Sequence, residues 1–201
     1  MNTHALILVD LQNDFLPGGA LAVPGGDEVI PIANHLMESF GIIVATQDWH
    51  PADHGSFAAN HPGQELFGSI DLDGLPQTLW PVHCVENTGG ALFAPGLATQ
   101  RITRVFQKGT RPEIDSYSGF HDNGRRHSTG LADWLREQGV THVTVCGLAT
   151  DYCVKFTALD AIAEGFQVTL HKPASRGVNL QPGDVDAAIE EMRAKGVAIA
   201  E

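Results

Sequence analysis

The chain is poor in basic residues, poor in cysteine and without any long apolar run. Twelve Lys and Arg stand against 24 Asp and Glu in 201 residues, a formal net charge of −12. So acidic a surface repels nucleic acid and anionic membranes, and neither is an expected partner. No apolar stretch approaches the length that crosses a bilayer. The opening MNTHALILVDLQNDF has no basic segment leading into a long apolar one, so no secretory signal is expected. The three cysteines, Cys84, Cys146 and Cys153, are odd in number and form no CxxC pair. A disulfide framework is therefore not expected, and a reducing cytoplasm is the natural setting.

What is present suits a folded, soluble chain: 43% hydrophobic and 18% charged residues. The length fits one domain over residues 1–201. Short apolar runs, ALILVD (5–10), GIIVATQD (41–48), RVFQK (104–108), VTVCGLA (143–149) and QVTLHKPAS (167–175), read as strands, and the C-terminal GVAIAE reads as a sixth. Their continuous rather than alternating hydrophobicity predicts strands covered on both faces. Between them, Val29, Ile32, Ala33, Leu36 and Met37 recur at helical spacing. So do Leu131, Trp134 and Leu135; Val154, Ala158, Ala161 and Ile162; and Val185, Ala188, Ile189 and Met192. Strand–helix alternation predicts an α/β fold, a three-layer αβα sandwich around a six-stranded, mostly parallel sheet. Two long segments, about 49–100 and 109–127, fit neither pattern, and long loops in a compact domain are usually functional or flexible.

Chemistry gathers where the strands end, which is where open α/β sheets build their sites. Asp10 closes the first strand, Asp48 the second and Lys108 the third, and the fourth leads through CGLATDYC to Cys153. Taken singly, an aspartate there is as often a turn or cap residue, a lysine a solvated charge and a cysteine a small apolar residue. Cys146, inside a strand, fits that last description. Cys153 instead falls in the first turn of a helix, where free N–H groups stabilise a thiolate and can hold an oxyanion. A lysine nearby would lower the thiol pKa further, and a carboxylate could take its proton. In DWHPADH, Asp48 and His50 can reach one point, with His54 close by and His83 in LWPVHCV. Carboxylate plus imidazole suits zinc, iron or manganese, though polar-loop histidines also make ordinary hydrogen bonds. Cys84 follows His83 directly, and neighbours on a strand point oppositely, so it is left out of the ligand set.

Six motifs in order carry a resemblance over nearly the whole chain: LILVDLQNDFLPGGALAVPGG, VATQDWHPADHGSFA, LWPVHCVENTGG, FQKG, YSGF and VCGLATDYCV. The sequence resembles the nicotinamidases, or pyrazinamidases, of the isochorismatase-like cysteine hydrolases. The resemblance implies a parallel six-stranded sheet between helices. It makes Cys153 the nucleophile, Asp10 the proton acceptor and donor, and Lys108 the supporting charge. It implies a cis peptide between Leu148 and Ala149, and an oxyanion held by the amides of Ala149 and Cys153. Asp48, His50 and His83 would bind one divalent metal, and His54 matches a fourth ligand found in part of the family. Phe15 and Trp80 would sandwich the substrate ring, with Tyr117 lining the pocket. The implied reaction converts nicotinamide and water to nicotinate and ammonia through a cysteine thioester, in salvage of the pyridine ring for NAD, with pyrazinamide a further substrate. Isochorismatases lack the cysteine and N-carbamoyl amide hydrolases lack the metal set, so these rank lower, as does a non-catalytic binding member. The stretch after Lys108 departs from the family outside YSGF. Its arginines, Arg111, Arg125 and Arg126, read as exposed solubilising charge more readily than as a lid. Oligomeric state is not legible, and a homo-oligomer stays open.

Overall fold

The first strand, β1 (His4–Val9), reads HALILV, and Ala5 to Val9 are fully buried. Its residues alternate between two apolar layers, as the pleat requires. Ala5, Ile7 and Val9 join one cluster; Leu6 and Leu8 join another. A strand so covered belongs in the middle of a sheet. The computed structural model, which describes residues 3–201, places it there.

The other strands of the main sheet are β2 (Ile43–Asp48), β5 (Arg104–Lys108), β6 (His142–Leu148), β7 (Gln167–Arg176) and β8 (Ala198–Ala200). Their order is β5-β2-β1-β6-β7-β8, and every pairing is parallel. Helix α1 (Val29–Met37) covers one face with Val29, Ile30, Ala33 and Met37. Helices α2 (Leu131–Glu137), α3 (Lys155–Ala163) and α4 (Asp184–Ala194) contribute buried residues to the other. The expected αβα layering and all six strands are therefore present. No helix among the described residues is long and apolar enough to cross a membrane.

The winding locates the site. The chain steps outward from β1 to β2 and β5, then returns to lay β6 on the other flank of β1. The carboxyl ends of β1 and β6 flank that reversal, where a crevice forms. The two strands close tightly there. A Cβ on Gly147, which has φ +126°, would lie 2.1 Å from the Val9 carbonyl oxygen, so only glycine fits.

The two segments outside the alternation hold structure of their own. Residues 49–103 contain an antiparallel hairpin, β3 (Ser69–Leu72) and β4 (Leu75–Thr78), turned at Asp73 and Gly74, both with positive φ. The 109–127 stretch is tied down rather than merely solvated. Arg125 pairs with Asp160, and Arg126 pairs with Asp73 on the hairpin, while Arg111 meets only Glu113 at 3.6 Å. Arg125 and Arg126 are exposed, as expected, and pair at the surface with acidic partners on two other elements.

Candidate active site

Parallel pairing alone brings the strand-end residues together. Asp48 is register-paired with Lys108, and β1 lies beside β2. Just past β1 the chain turns at Asp10, whose φ is +48°, and its buried carboxylate faces back over the sheet edge. Thr46 holds it: the hydroxyl donates to Asp10 Oδ1 at 2.6 Å and accepts from the Asp10 amide at 3.3 Å.

Lys108 Nζ is the hub. Its three protons have three well-directed acceptors: Asp48 Oδ1 at 2.5 Å, the Ser116 carbonyl at 2.9 Å and Cys153 Sγ at 3.4 Å. Asp10 Oδ2 lies 2.9 Å away and pairs with the same charge. An Asp10 carboxylate oxygen also lies within 4.8 Å of Cys153 Sγ, near enough to exchange a proton with the thiol.

The electrostatics correct one expectation. Burial pushes the Cys153 thiol well above its ordinary pKa; Lys108 opposes this, and Asp10 and Asp48 reinforce it. One ammonium facing two carboxylates leaves no surplus positive charge for a resting thiolate. The residue also opens on a π-helical turn, Thr150–Val154, ahead of α3 rather than in an α-helical first turn. Burial raises the Asp10 carboxyl too, only partly offset by Lys108, which suits a group that must both take and return a proton. Lys108 itself, despite burial, is held well above an ordinary lysine by Asp10 and Asp48 and stays charged. The Leu148–Ala149 peptide is cis, as the resemblance implies.

Asp48 faces two ways. Its Oδ1 takes Lys108, while Oδ2 lies 3.5 Å from His50 Nε2 and 3.8 Å from His83 Nε2. Both imidazoles are oriented by backbone carbonyls: His50 Nδ1 donates to Gly109 O at 2.8 Å and His83 Nδ1 to Pro81 O at 2.7 Å. A carbonyl only accepts, so each Nδ1 carries the proton and each Nε2 turns toward Asp48. That is how metal-binding histidines are held, and the three donor atoms lie within 4.8 Å of one another. Burial, with His50 next, lowers His83 to about 4, keeping it a neutral ligand. The residues fit a divalent ion.

The supports for this centre are local. Gln12 clamps the main chain of Asp48, with Nε2 on its carbonyl and Oε1 on its amide, both at 2.8 Å. A parallel bridge between His50 and Val85 docks the His83 loop, and Asp14 Oδ2 accepts the Cys84 amide at 2.7 Å. Cys84 is buried outside the ligand cluster, as expected, though its left-handed backbone rather than strand alternation turns it away. Gly109 has φ +64°, and a Cβ there would fall 2.3 Å from the His50 ring.

His54 does not join Asp48 and His83; its nearest ligand-type neighbours are His50 and Asp115. His54 Nδ1 lies 2.7 Å from Ser56 Oγ and 3.2 Å from the Ser56 amide. Burial lowers His54 to about 4, so the ring is neutral. Its Nε2 is buried without a partner.

One narrow pocket unites these groups. Phe15, Trp80, Tyr117, Asp48, His50, His83, Ala149 and Cys153 all line it. Trp80 also packs edge-on to Tyr152, ring centroids 4.8 Å apart. Every site residue expected from the sequence is thus in the pocket or, for Asp10 and Lys108, directly behind Cys153. Thr46, Gln12, Ser116, Asp115 and Tyr152 were not expected. Gln12 and Tyr152 lie inside the DLQNDF and TDYC motifs, which was the available signal.

A thiol, two carboxylates and a buried ammonium thus meet at the switch point of a parallel sheet, the place where α/β enzymes build their sites. Residues 4–201 match the Isochorismatase domain. The nicotinamidase of Escherichia coli K12 is 53% identical over 99% of this chain and 95% of its own length. A nicotinamidase/pyrazinamidase structure from Acinetobacter baumanii superposes with a TM-score of 0.97 at 43% identity, covering 100% of this chain and 97% of that one. A pyrazinamidase from Pyrococcus horikoshii in complex with zinc gives 0.81 at 41% identity, over 99% of both chains. The chain belongs to the isochorismatase-like hydrolase family.

Because His54 stands outside the Asp48/His50/His83 cluster, His83→Ala is expected to weaken zinc binding at least about a hundredfold and His54→Ala by much less. Competition with a chromogenic chelator measures both, and equal losses would contradict this division.

Proposed function

We infer that this chain is a nicotinamidase, hydrolysing nicotinamide to nicotinate and ammonia, with pyrazinamide also accepted. The observation that carries this is the single pocket joining Cys153 and Ala149 to the Asp48/His50/His83 edge between aromatic walls. An aromatic amide bearing a ring nitrogen meets both edges at once. The activity stated for the Escherichia coli, Acinetobacter and Pyrococcus relatives supports the same reading.

Each step has a group for it. As the substrate seats, the Cys153 thiol proton passes to the Asp10 carboxylate, and the sulfur attacks the amide carbonyl carbon. The carbonyl oxygen takes the electron pair and is held by the Ala149 and Cys153 amides. The C–N bond breaks, and Asp10 returns the proton to the departing nitrogen, releasing ammonia. Water then attacks the thioester and gives a proton to Asp10. The C–S bond breaks, nicotinate leaves, and the proton goes back to sulfur. Throughout, Lys108 keeps the carboxylates balanced and steadies negative charge on sulfur. A divalent ion held by Asp48, His50 and His83 would supply a Lewis-acid contact for the pyridine nitrogen, directly or through water. Zinc, iron and manganese all suit these donors. Salvage of the pyridine ring for NAD synthesis, in the reducing cytoplasm that three free thiols favour, is the matching biological role.

Ammonia release from nicotinamide by the metal-loaded protein tests the reading. Cys153→Ala should lower it at least about a thousandfold; release that persists in the variant would remove Cys153 from the mechanism. Chelating the metal should raise KM far more than it lowers kcat, and an unchanged KM would contradict an orienting role for the ion.

A further inference from the structure

Asp151 is a buried carboxylate that the reaction steps do not use. It sits two residues before Cys153, in the π-helical turn Thr150–Val154. Its oxygens reach the connection between β7 and α4, where Oδ1 accepts the Val178 amide at 3.0 Å and Oδ2 the Asn179 amide at 2.6 Å. The connection is shaped to this carboxylate. Asn179 turns it with φ +56°, and a Cβ on Gly177 would fall 2.2 Å from Val185 and 3.0 Å from Asp151 Oδ1. Among the described residues, 177–180 make no hydrogen bond from main chain to main chain. The pocket residues Phe15, Leu21 and Trp80 are fastened that way, Phe15 by Gln12 and Val23, Leu21 by Asp14, and Trp80 by Ser56 and Ala58. Val178 lines the same pocket, and it packs with Leu180 against the apolar cluster that holds those three side chains.

On the nicotinamidase reading, on which this inference rests, an aromatic ring must be seated while Cys153 attacks. We propose that Asp151 is a positioning residue for the substrate and acts through Val178: its two hydrogen bonds hold that side chain against the pocket as an apolar wall. One short turn thus carries both the nucleophile and the clamp for a wall, so the two keep a fixed spacing. A carboxylate suits the task, because two successive amides need two acceptor oxygens. The wall gives contact to the bound ring rather than charge to the transition state. Its loss therefore weakens binding and leaves the chemistry nearly intact.

Steady-state kinetics with nicotinamide test this in three variants. Asp151→Ala frees the connection and should raise KM about tenfold, with kcat within about threefold. Asp151→Asn keeps one acceptor oxygen and should fall between that variant and the wild type. Val178→Ala leaves the clamp and removes the wall, and should raise KM about 3–10-fold with kcat again nearly unchanged. A drop in kcat at unchanged KM would mean that Asp151 serves Cys153 or the turn itself, and would overturn the proposal. So would a KM unmoved in Val178→Ala. Should Asp151→Ala not fold, the Asp151→Asn and Val178→Ala variants carry the same decision. If the wild type hydrolyses no nicotinamide, the nicotinamidase reading fails by itself. Alkylation of Cys153 by iodoacetamide, followed by peptide mass spectrometry, then decides the role of Asp151. Acceleration in both Asp151→Asn and Val178→Ala supports a clamped wall beside the sulfur, and acceleration in one or neither overturns it.

Discussion

One buried ammonium, Lys108 Nζ, organises this molecule. A lone charge in a protein interior is prohibitively unfavourable, and it is tolerated only when paired and hydrogen-bonded on every side. Here its three protons are directed at Asp48, the Ser116 carbonyl and Cys153, with Asp10 alongside. Those partners come from β2, the 109–127 segment, the turn after β6 and the end of β1. The charge is satisfied only when these parts are in register. It is also one positive charge against two carboxylates. Burial first, and then that imbalance, push the Cys153 thiol and the Asp10 carboxyl above their ordinary values.

Asp48 extends the influence of Lys108 across the pocket. One of its oxygens answers the ammonium and the other the two imidazoles, so the reactive centre and the metal-binding edge share a carboxylate. Its main chain cannot drift, because Gln12 holds both its amide and its carbonyl. The orienting contacts continue outward, from His50 to the Gly109 carbonyl and from Gln77 on the hairpin to Asp115. The hairpin and the 109–127 segment, outside the strand–helix alternation, therefore build the pocket wall and are pinned to each other by Arg126 and Asp73.

The sheet was legible in the sequence because its strands are buried on both faces and read as unbroken Val, Ile and Leu. The residues at their ends were legible because parallel pairing aligns strand ends whatever lies between them. The β3–β4 hairpin escaped that reading although its Asp73-Gly74 turn is a strong local signal, since only four residues flank it on each side. Thr46 and Asp115 were not legible: each acts through a partner dozens of residues away, and nothing local marks them. The direction of the Cys153 shift was misread for a related reason. Helix position and a nearby lysine can be read along the chain, but depth of burial and a second carboxylate cannot. His54, which the resemblance offered as a fourth ligand, lies instead beside His50 and Asp115.

The central claim is that Cys153, fed and drained of its proton by Asp10 beside Lys108, carries the acyl group. Mass spectrometry of the protein after acid quenching during nicotinamide turnover tests it most directly. The account predicts a nicotinoyl group on the peptide containing Cys153, present during turnover and gone once substrate is exhausted. Turnover with no acyl group on the protein at any quench time, or an acyl group on another residue, would contradict it.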